Sequence, residues 1–401
     1  MLPSYFTPSS GKSAFLAGLT TFSMPPRVLH IVESLDRGAV ENWLVRMYCH
    51  AGDCAIPLDW TFYCELSAEG VLDDKVTRQG AKIVRSPVGV GRAFMFIRTL
   101  RKEIRNGGYD VIHCHEDIVS ALYLVSSIGL GKIQRIVHVH NADEGMRSTH
   151  RSKAFLLRGL FRQICLFLAD KIVGISNHTL DTFLNGRKRR PGRDIVHYYG
   201  IDPGPFLNCQ AEPVKFRKEL GLAEDSLIVL FAGRLVLEKN PQFVLDVLSE
   251  IRQLEPRVVG VFVGSGSEEN RLKCYAAELD LDDRVRFLGW RNDVVEIMKC
   301  SDLFILPRPE QPLEGFGIAV VEAQLAGLPL LLSKGIPDDP LLPGNCSQRL
   351  SLAEPAEKWA QAACSLLDSE PPGPDEMAKI LAESPMDMDR ALGNLMALHR
   401  Q

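Results

Sequence analysis

Short runs of apolar and β-branched residues alternate with amphipathic helical patterns along most of the chain. In the first half, strands are predicted at residues 27–32, 58–64, 111–113, 135–140, 171–175 and 194–198. Helices are predicted between them, at residues 40–50, 93–105 and 118–128. This alternation predicts a parallel sheet that is covered by helices on both faces.

The segment 200–213, with the sequence GIDPGPFLNCQAEP, interrupts the alternation with proline and glycine, and we predict a linker there. A second series follows, with strands predicted at residues 227–232, 258–263, 285–288, 303–306 and 328–332 and a helix at 241–254. The predicted fold class is therefore α/β, with two doubly wound parallel sheets. Ligands of such sheets bind at the carboxyl ends of the strands.

The composition agrees with two globular domains. The 401 residues are 46% apolar and 24% charged, which is enough to bury two cores. The net charge of −4 gives no sign of a nucleic-acid partner. No apolar run reaches the ~20 residues that cross a bilayer. Residues 1–24, which contain AFLAGLTTF, are expected to be a disordered extension or an overlong gene start.

The ten cysteines are scattered and form no CxxC pair. This spacing argues against a zinc ribbon or a disulfide framework. It favours a reducing compartment, so we expect a cytoplasmic protein.

A glycine-rich turn with two carboxylates stands out in the second half, in the sequence EGFGIAVVE from Glu314 to Glu322. The turn precedes a predicted helix, and the backbone N–H groups of Gly315, Phe316 and Gly317 would face a phosphate there. Glu322 would reach the hydroxyls of a ribose, and Glu314 those of a sugar. The alternative, two ordinary surface glutamates, stays open.

Two cations follow the predicted strand 227–232. In FAGRLVLEKN, Arg234 comes directly after Gly233, and Lys239 lies five residues further on. An Arg fork and a Lys ammonium could converge on a diphosphate and replace Mg²⁺. A solvated basic loop is the alternative. Gly264 and Gly266, in VGSGSEE, form a second but weaker turn signal.

Together, Gly233-Arg234 with Lys239, the VGSGSEE turn, RVRFLGW and EGFGIAVVEAQLAGLPLL resemble the retaining glycosyltransferases of family four, also called group 1. The stretch EAQLAGLPLLLSKGIPDD is similar to the branch that builds bacterial exopolysaccharides and capsules. The resemblance implies the GT-B architecture, in which two Rossmann-like domains face each other across a cleft. It implies an acceptor domain at 25–205, a donor domain at 206–385 and a terminal helix at 386–401 that packs back across both.

The resemblance also implies roles for single residues. The implied catalytic residues are His115, Arg234, Lys239 and Glu314. The implied donor-binding residues are Gly38, Gly233, Gly264, Gly266, Trp290, Gly315, Phe316, Gly317 and Glu322. His140 and Asn141 would lie on the acceptor side. Ala39 stands where the family has a second glycine, and Tyr199 where it has an asparagine.

The histidines allow a different interpretation. His113 with His115, and His138 with His140, form two HxH pairs on predicted strands, and residues i and i+2 share a face. Four such side chains could surround zinc or iron. Buried histidines that only satisfy backbone groups are the alternative. No DxD pair follows a strand, so we predict that the chain has no metal site and needs no cofactor.

A basic segment runs from Arg147 to Arg193, with 11 Arg and Lys residues against two acidic residues. Its stretch KAFLLRGLFRQICLFL has the pattern of a basic amphipathic helix, which can lie on an anionic membrane. A core-packing helix with a solvated basic edge is the alternative.

The predicted function is retaining transfer of a hexosyl or N-acetylhexosaminyl group. The donor would be a nucleotide-diphosphate sugar, with UDP implied by the family. The acceptor would be a lipid-linked or polysaccharide precursor of an exopolysaccharide, reached at the inner face of the plasma membrane. A sugar-nucleotide epimerase and a catalytically silent sugar-nucleotide-binding subunit remain as alternatives.

Overall fold

The computed structural model describes residues 24–36, 38–141 and 151–400, and of residues 151–155 only the backbone. The predicted extension at 1–24 therefore lies outside the described residues except for Met24. The chain divides into two α/β units. The first unit runs to Ile201 and also contains the chain from Pro385 onward, and the second unit spans Asp202–Ser384.

The first unit is built on a parallel sheet of seven strands in the order β3-β2-β1-β4-β5-β6-β7. The strands are β1 (Arg27–Val32), β2 (Asp59–Cys64), β3 (Lys82–Arg85), β4 (Val111–Cys114), β5 (Gln134–Val139), β6 (Lys171–Gly174) and β7 (Asp194–Val196). The helices are α1 (Ala39–Asp53), α2 (Asp73–Thr77), α3 (Ala93–Gly107), α4 (Ser120–Ser126), α5 (Arg151–Leu168) and α6 (Asn177–Leu184).

The second unit has a parallel sheet of six strands in the order β10-β9-β8-β11-β12-β13. The strands are β8 (Leu227–Ala232), β9 (Val258–Val263), β10 (Val285–Gly289), β11 (Leu303–Leu306), β12 (Leu330–Ser333) and β13 (Ser347–Leu350). The helices are α7 (Gly204–Asn208), α8 (Pro213–Glu219), α9 (Pro241–Leu254), α10 (Glu269–Glu278), α11 (Val294–Lys299), α12 (Ile318–Leu325), α13 (Ala356–Leu367) and α14 (Pro374–Glu383).

The last helix, α15 (Met388–His399), belongs to the first unit. A backbone hydrogen bond from Ile201 N to Met386 O, 2.8 Å long, joins the segment just before α15 to the segment that follows β7. The inner face of α15 is apolar, and Leu392 and Leu395 are fully buried. Among the described residues, every helix is too short or too polar to span a bilayer.

In each sheet, the order of the strands reverses direction once. The reversal lies between β1 and β4 in the first unit and between β8 and β11 in the second. Two loops that follow such a pair of strands turn away in opposite directions and leave a crevice between them. The fold therefore predicts one ligand site in each unit, after β1 and β4 and after β8 and β11.

Candidate active site

The crevice of the second unit contains an ion pair between the two predicted motifs. Lys239 follows β8, and its Nζ lies 2.6 Å from Oε2 of Glu314, which follows β11. The two side chains are only 17% and 14% exposed. Nε of Arg308 lies 3.3 Å from the same oxygen, so that one carboxylate holds two cations.

Arg308 was not among the residues predicted from the sequence. It stands two residues after β11, and it also donates to the backbone carbonyl of Glu238. The sequence feature that could have revealed Arg308 is a cation shortly after a buried strand, in the sequence FILPR. A lone arginine after a strand is common, and only the fold shows that it approaches Glu314.

Arg234 completes a group of three cations. It is exposed, and within the described part of the chain its guanidinium forms no hydrogen bond or ion pair, although its charge acts on both Lys239 and Glu314. Three cations and one carboxylate leave a net positive charge in the crevice. Such a site is suited to a phosphate or diphosphate, because Arg and Lys bind phosphate through charge-assisted hydrogen bonds.

The pKa values follow from this crowding. Burial lowers the pKa of Lys239, Glu314 partly offsets this effect, and the charges of Arg308 and Arg234 lower the pKa further. Burial alone would raise the pKa of Glu314, but the three cations outweigh it, so this pKa lies below its ordinary value. Glu314 is therefore held as a carboxylate.

The start of α12 adds backbone donors. Gly317 is the N-cap residue with φ +95°, and no side chain caps this end. The N–H groups of Ile318 and Ala319, the first two residues of α12, therefore face an end that favours an anion, whereas Val320 N already donates to Gly317 O. Glu322 lies about one turn into α12, as the sequence predicted, and its side chain is half-buried. The side chain of Phe316, in contrast, is only 1% exposed and belongs to the core, so that only its backbone could face a ligand.

Backbone hydrogen bonds of the glycines at the ends of β8, β9 and β10 connect the three loops that begin there. Gly233 N donates to Val263 O, and Gly264 N donates to Gly289 O, over 2.9 and 2.8 Å. A Cβ atom on Gly264, which has φ +124°, would lie 2.0 Å from the carbonyl oxygen of Gly233. A Cβ atom on Gly266 would similarly meet a backbone oxygen. The loops therefore require both glycines whether or not a ligand is bound.

Trp290 directly follows this group of loops, and its side chain is half exposed. An exposed indole beside glycine loops is able to stack on a planar ring, such as a nucleobase. The predicted donor-binding residues of the second half of the chain thus come from the loops after β8, β9, β10 and β11. They all belong to one edge of one sheet.

Among the described residues, the crevice of the first unit contains a buried cluster of seven histidines. They come from β1, β4, β5, the end of β7 and α15, and each is at most 4% exposed. The members are His30, His113, His115, His138, His140, His197 and His399. The sequence predicted the two HxH pairs, but not that three further histidines join them.

The rings form two hydrogen-bonded rows. In the first row, the Tyr199 hydroxyl lies 2.8 Å from Nδ1 of His140, and His140 Nε2 lies 3.0 Å from His115 Nδ1. His115 Nε2 then lies 3.0 Å from Nδ1 of His30. Both ring nitrogens of His115 are therefore engaged within the protein. The last member of this row is Tyr199, which stands at the position where the resembled family has an asparagine.

The second row joins His399, His113 and His138, with N···N distances of 2.9 and 3.1 Å. Burial, and then the nearby histidines, lower the pKa of His113 and His138 well below the usual 6.5. Burial lowers the pKa of His140 and His399 to about 3. The rings are therefore neutral at pH 7, and each contact is an N–H···N hydrogen bond.

The interpretation as a metal centre fits this arrangement poorly. Two groups of three histidines, both containing His115, are close enough to share an ion. However, both groups consist only of buried, neutral histidines and include no carboxylate or thiolate, so that a divalent ion there would carry an uncompensated buried charge. Neutral hydrogen-bonded rings account for the distances without a metal.

Comparison with known proteins decides the family. Residues 214–380 match the family model "Glycosyl transferases group 1", and residues 28–204 match "Glycosyltransferase Family 4". The chain is 30% identical over 275 residues to an Escherichia coli UDP-Gal:α-D-GlcNAc-diphosphoundecaprenol α-1,3-galactosyltransferase, covering 65% of this chain and 67% of that protein. This chain belongs to the group 1 glycosyltransferases.

Two further similarities cover nearly the whole glycosyltransferase. A Bacillus subtilis protein that bears the name of a glycosyltransferase, EpsF, is 26% identical over 382 residues, which is 94% of this chain and 97% of that protein. The crystal structure of Anabaena HepE in complex with UDP and glucose superposes with a TM-score of 0.72 at 19% identity, covering 92% and 98% of the two chains. The fold is therefore that of the GT-B glycosyltransferases.

Asp117 of the glycosyltransferase was also missed by sequence reasoning. It has φ +43°, which is rare for a residue other than glycine, and its side chain is buried. Its carboxylate accepts hydrogen bonds from His140 N at 2.7 Å and from Asn141 Nδ2 at 2.8 Å. Asp117 therefore positions both residues that were predicted for the acceptor side.

Gly38 begins α1 in the same crevice and serves as its N-cap residue. A Cβ atom on residue 38 would lie only 1.9 Å from Oε2 of Glu41. A side chain at position 38 would thus displace Glu41. The roles of Gly38, His115, His140 and Asn141 in binding or catalysis stay predictions.

Proposed function

We propose that this glycosyltransferase is a retaining, metal-independent enzyme that transfers a hexosyl or N-acetylhexosaminyl group from a UDP-sugar to a lipid-linked or polysaccharide precursor. The main support for this proposal is the group of Lys239, Arg308 and Arg234 around Glu314. This group lies at the point where the strand order of the second sheet reverses. The E. coli relative is named for a UDP-sugar donor and a diphosphoundecaprenol acceptor, and HepE was crystallised with UDP. These names support the choice of donor and acceptor.

In the proposed mechanism, the bond between the anomeric carbon and the diphosphate breaks while the acceptor oxygen attacks from the same face. The departing phosphate oxygen takes the proton of the acceptor hydroxyl. Negative charge grows on the diphosphate during this step, and Lys239 and Arg234 stabilise it. Cations that are already in place act without reorganisation, which makes them more effective than solvent.

Glu314 has two tasks in this proposal. The side-chain contacts of Glu314 with Lys239 and with Arg308 both use Oε2. Oε1 is then available to accept a hydroxyl of the donor sugar. The same carboxylate that fixes the position of the two cations would thus orient the sugar beside the diphosphate, while Glu322 would hold the ribose.

The donor is found with a thermal-shift screen of UDP-glucose, UDP-galactose and their N-acetylhexosamine counterparts, followed by a transfer assay. A true donor at 100 times its dissociation constant stabilises the protein by ~2.7 kcal/mol. The anomeric configuration of the product, measured by NMR, tests retention. A changed sugar that stays on UDP, with no product formed from an acceptor, would instead identify an epimerase.

Metal independence has its own test. We expect transfer to continue in an excess of EDTA, because the cations of the crevice supply the charge that Mg²⁺ provides in other enzymes. The assay is run at a temperature at which the chelated protein remains folded. Loss of activity that Mg²⁺ or Mn²⁺ restores would contradict the proposal.

The proposal includes docking of the first unit on an anionic membrane, where a lipid-linked acceptor would be found. The predicted basic segment partly falls on residues 142–150, outside the described residues. In the described part, α5 exposes large apolar side chains, and Phe167 is 87% exposed. Phe167, Arg187, Lys188 and Arg190 line one surface cavity of about 520 Å³. Apolar and basic groups are thus adjacent, as in membrane-surface helices.

Sedimentation with lipid vesicles tests this surface. The protein is expected to pellet with phosphatidylglycerol vesicles at low salt and to be released at high salt, because salt screens surface attraction. Reversal of Arg187, Lys188 and Arg190 to Glu should abolish binding. The matched control reverses three other exposed cations, Arg78, Lys218 and Lys273. Equal recovery with neutral and anionic vesicles would contradict this part of the proposal.

A further inference from the structure

Three residues with metal-binding side chains meet between the first and last helices of the first unit. His50 and Cys54 are four residues apart at the end of α1, and Asp389 lies in the first turn of α15. Nε2 of His50 is 2.6 Å from Oδ1 of Asp389 and 3.7 Å from Sγ of Cys54. The three ligand atoms all lie within 4.8 Å of one another.

The sulfur–nitrogen distance is close to that of a tetrahedral zinc site. With Zn–S near 2.3 Å and Zn–N near 2.05 Å, the sulfur and nitrogen ligands of one ion are ~3.6 Å apart, close to the observed 3.7 Å. The nitrogen and oxygen ligands would need to separate to ~3.3 Å. Exchange of the His50–Asp389 hydrogen bond for two metal bonds requires a shift of less than 1 Å.

The charges of the three side chains also match those of a divalent cation site. A thiolate from Cys54 and the carboxylate of Asp389 together neutralise a divalent cation, and His50 binds as the neutral imidazole. A mixed sulfur, nitrogen and oxygen set suits Zn²⁺, whereas Mg²⁺ and Ca²⁺ prefer oxygen alone. The His50 and Asp389 side chains are each 24% exposed, so that water can reach a fourth position.

We propose that His50, Cys54 and Asp389 bind Zn²⁺ and thereby fasten α15 to α1. This site departs from the prediction that the chain has no metal. It does not depend on the proposed transfer reaction. His50 lies twelve residues along α1 from Gly38, roughly 18 Å at 1.5 Å per residue, so that the ion would lie far from the crevice of this unit.

Cobalt spectroscopy on the full, reduced, metal-stripped chain tests the proposal. One Co²⁺ per chain should produce a thiolate-to-cobalt charge-transfer band, and Zn²⁺ should remove it by competition. Cys54→Ser should abolish the band, and Asp389→Asn, which removes an anionic ligand, should weaken binding by at least ~10-fold, since loss of even an outer-shell partner costs about 10–100-fold. Cys274→Ser, at an exposed cysteine elsewhere, should leave the band unchanged.

Zn²⁺ should also raise the unfolding temperature of the stripped protein, but not that of Cys54→Ser. Absence of the thiolate band from the unaltered protein would overturn the proposal, even if a variant fails to fold. A cobalt spectrum without the thiolate band, or a band that persists in Cys54→Ser, would place the metal elsewhere, for example at the histidine cluster. Either outcome would also overturn it.

Discussion

Lys239 and Glu314 lie 75 residues apart in the sequence, yet Nζ and Oε2 are 2.6 Å apart in the structure. The pair joins the loop after β8 to the loop after β11, across the point where the strand order reverses. Open α/β sheets bind ligands at such points. The pair therefore links the two sequence motifs into one site and fixes its position in the fold.

Replacement of Glu314 by Gln should reduce both stability and turnover. Lys239 and Arg308 would lose their shared carboxylate in a largely buried place, which we expect to lower the free energy of unfolding by about 2–4 kcal/mol. Glu269→Gln is the control, because the exposed Glu269–Lys273 pair should change stability by less than ~1 kcal/mol. Urea unfolding and steady-state transfer measure the two effects. Similar stability of the two variants would contradict the role of Glu314.

Much of the fold follows from the sequence because its central strands are buried on both faces. The runs at β8, β9 and β11 are almost wholly apolar, and their predicted limits, like those of β1, agree with the structure. The edge strands β3 and β13, with the sequences KIVR and SQRL, were missed. They are half-exposed and mix polar with apolar residues, so that their pattern resembles a loop.

The site was predictable only where its residues are close in sequence. Gly317 and Glu322 belong to one helix start, and the local pattern located both. Arg308 joins Glu314 through the geometry of the sheet, which no local pattern contains. The histidine cluster is a similar case, because His399 reaches His113 only through the packing of α15.

The histidine cluster should make the first unit sensitive to acid. The folded pKa values lie below 6.5, and those of His140 and His399 lie at about 3. Below pH ~6.5 the unfolded chain therefore binds protons that the folded chain does not. The free energy of unfolding accordingly decreases as the pH is lowered through this range. Each neutral histidine contributes up to ~1.4 kcal/mol per pH unit in that range. Above pH 7 these groups should have no effect.

Urea unfolding at pH 7, 6 and 5, followed by fluorescence, measures this dependence. His138→Gln should reduce the slope between pH 6 and 5, because one titrating group is removed. His178→Gln is the control, since His178 lies half-exposed on α6 outside the cluster, and its slope should match that of the unaltered protein. A stability that stays constant from pH 7 to 5 would show that the cluster is not neutral in the folded state.

Gly264 should tolerate no side chain. An alanine there would place Cβ 2.0 Å from a backbone oxygen at φ +124°, so that the loops after β8 and β9 would have to separate. We expect a loss of at least ~2 kcal/mol in the free energy of unfolding. Gly289→Ala, with φ +63° and open space around the new methyl group, should lose only ~1–2 kcal/mol. Equal losses would argue against the close packing of these loops.

The central claim is that the cations of the second unit stabilise the leaving diphosphate. A cation at this place binds the transition state more tightly than the ground state, and its loss therefore lowers turnover. Loss of one such electrostatic contact typically costs ~10²–10³ in rate. Arg234→Lys should recover little of the activity that Arg234→Ala loses, because an ammonium cannot form the bidentate fork of a guanidinium.

The most direct measurement is the turnover number of Lys239→Ala, at saturating donor and acceptor and with the thermal midpoint recorded alongside. Lys273→Ala, at an exposed lysine of the same unit, is the control and should keep normal turnover. The account predicts a fall of ~10²–10³ in the turnover of Lys239→Ala while the protein remains folded. Near-normal turnover of folded Lys239→Ala would contradict the claim.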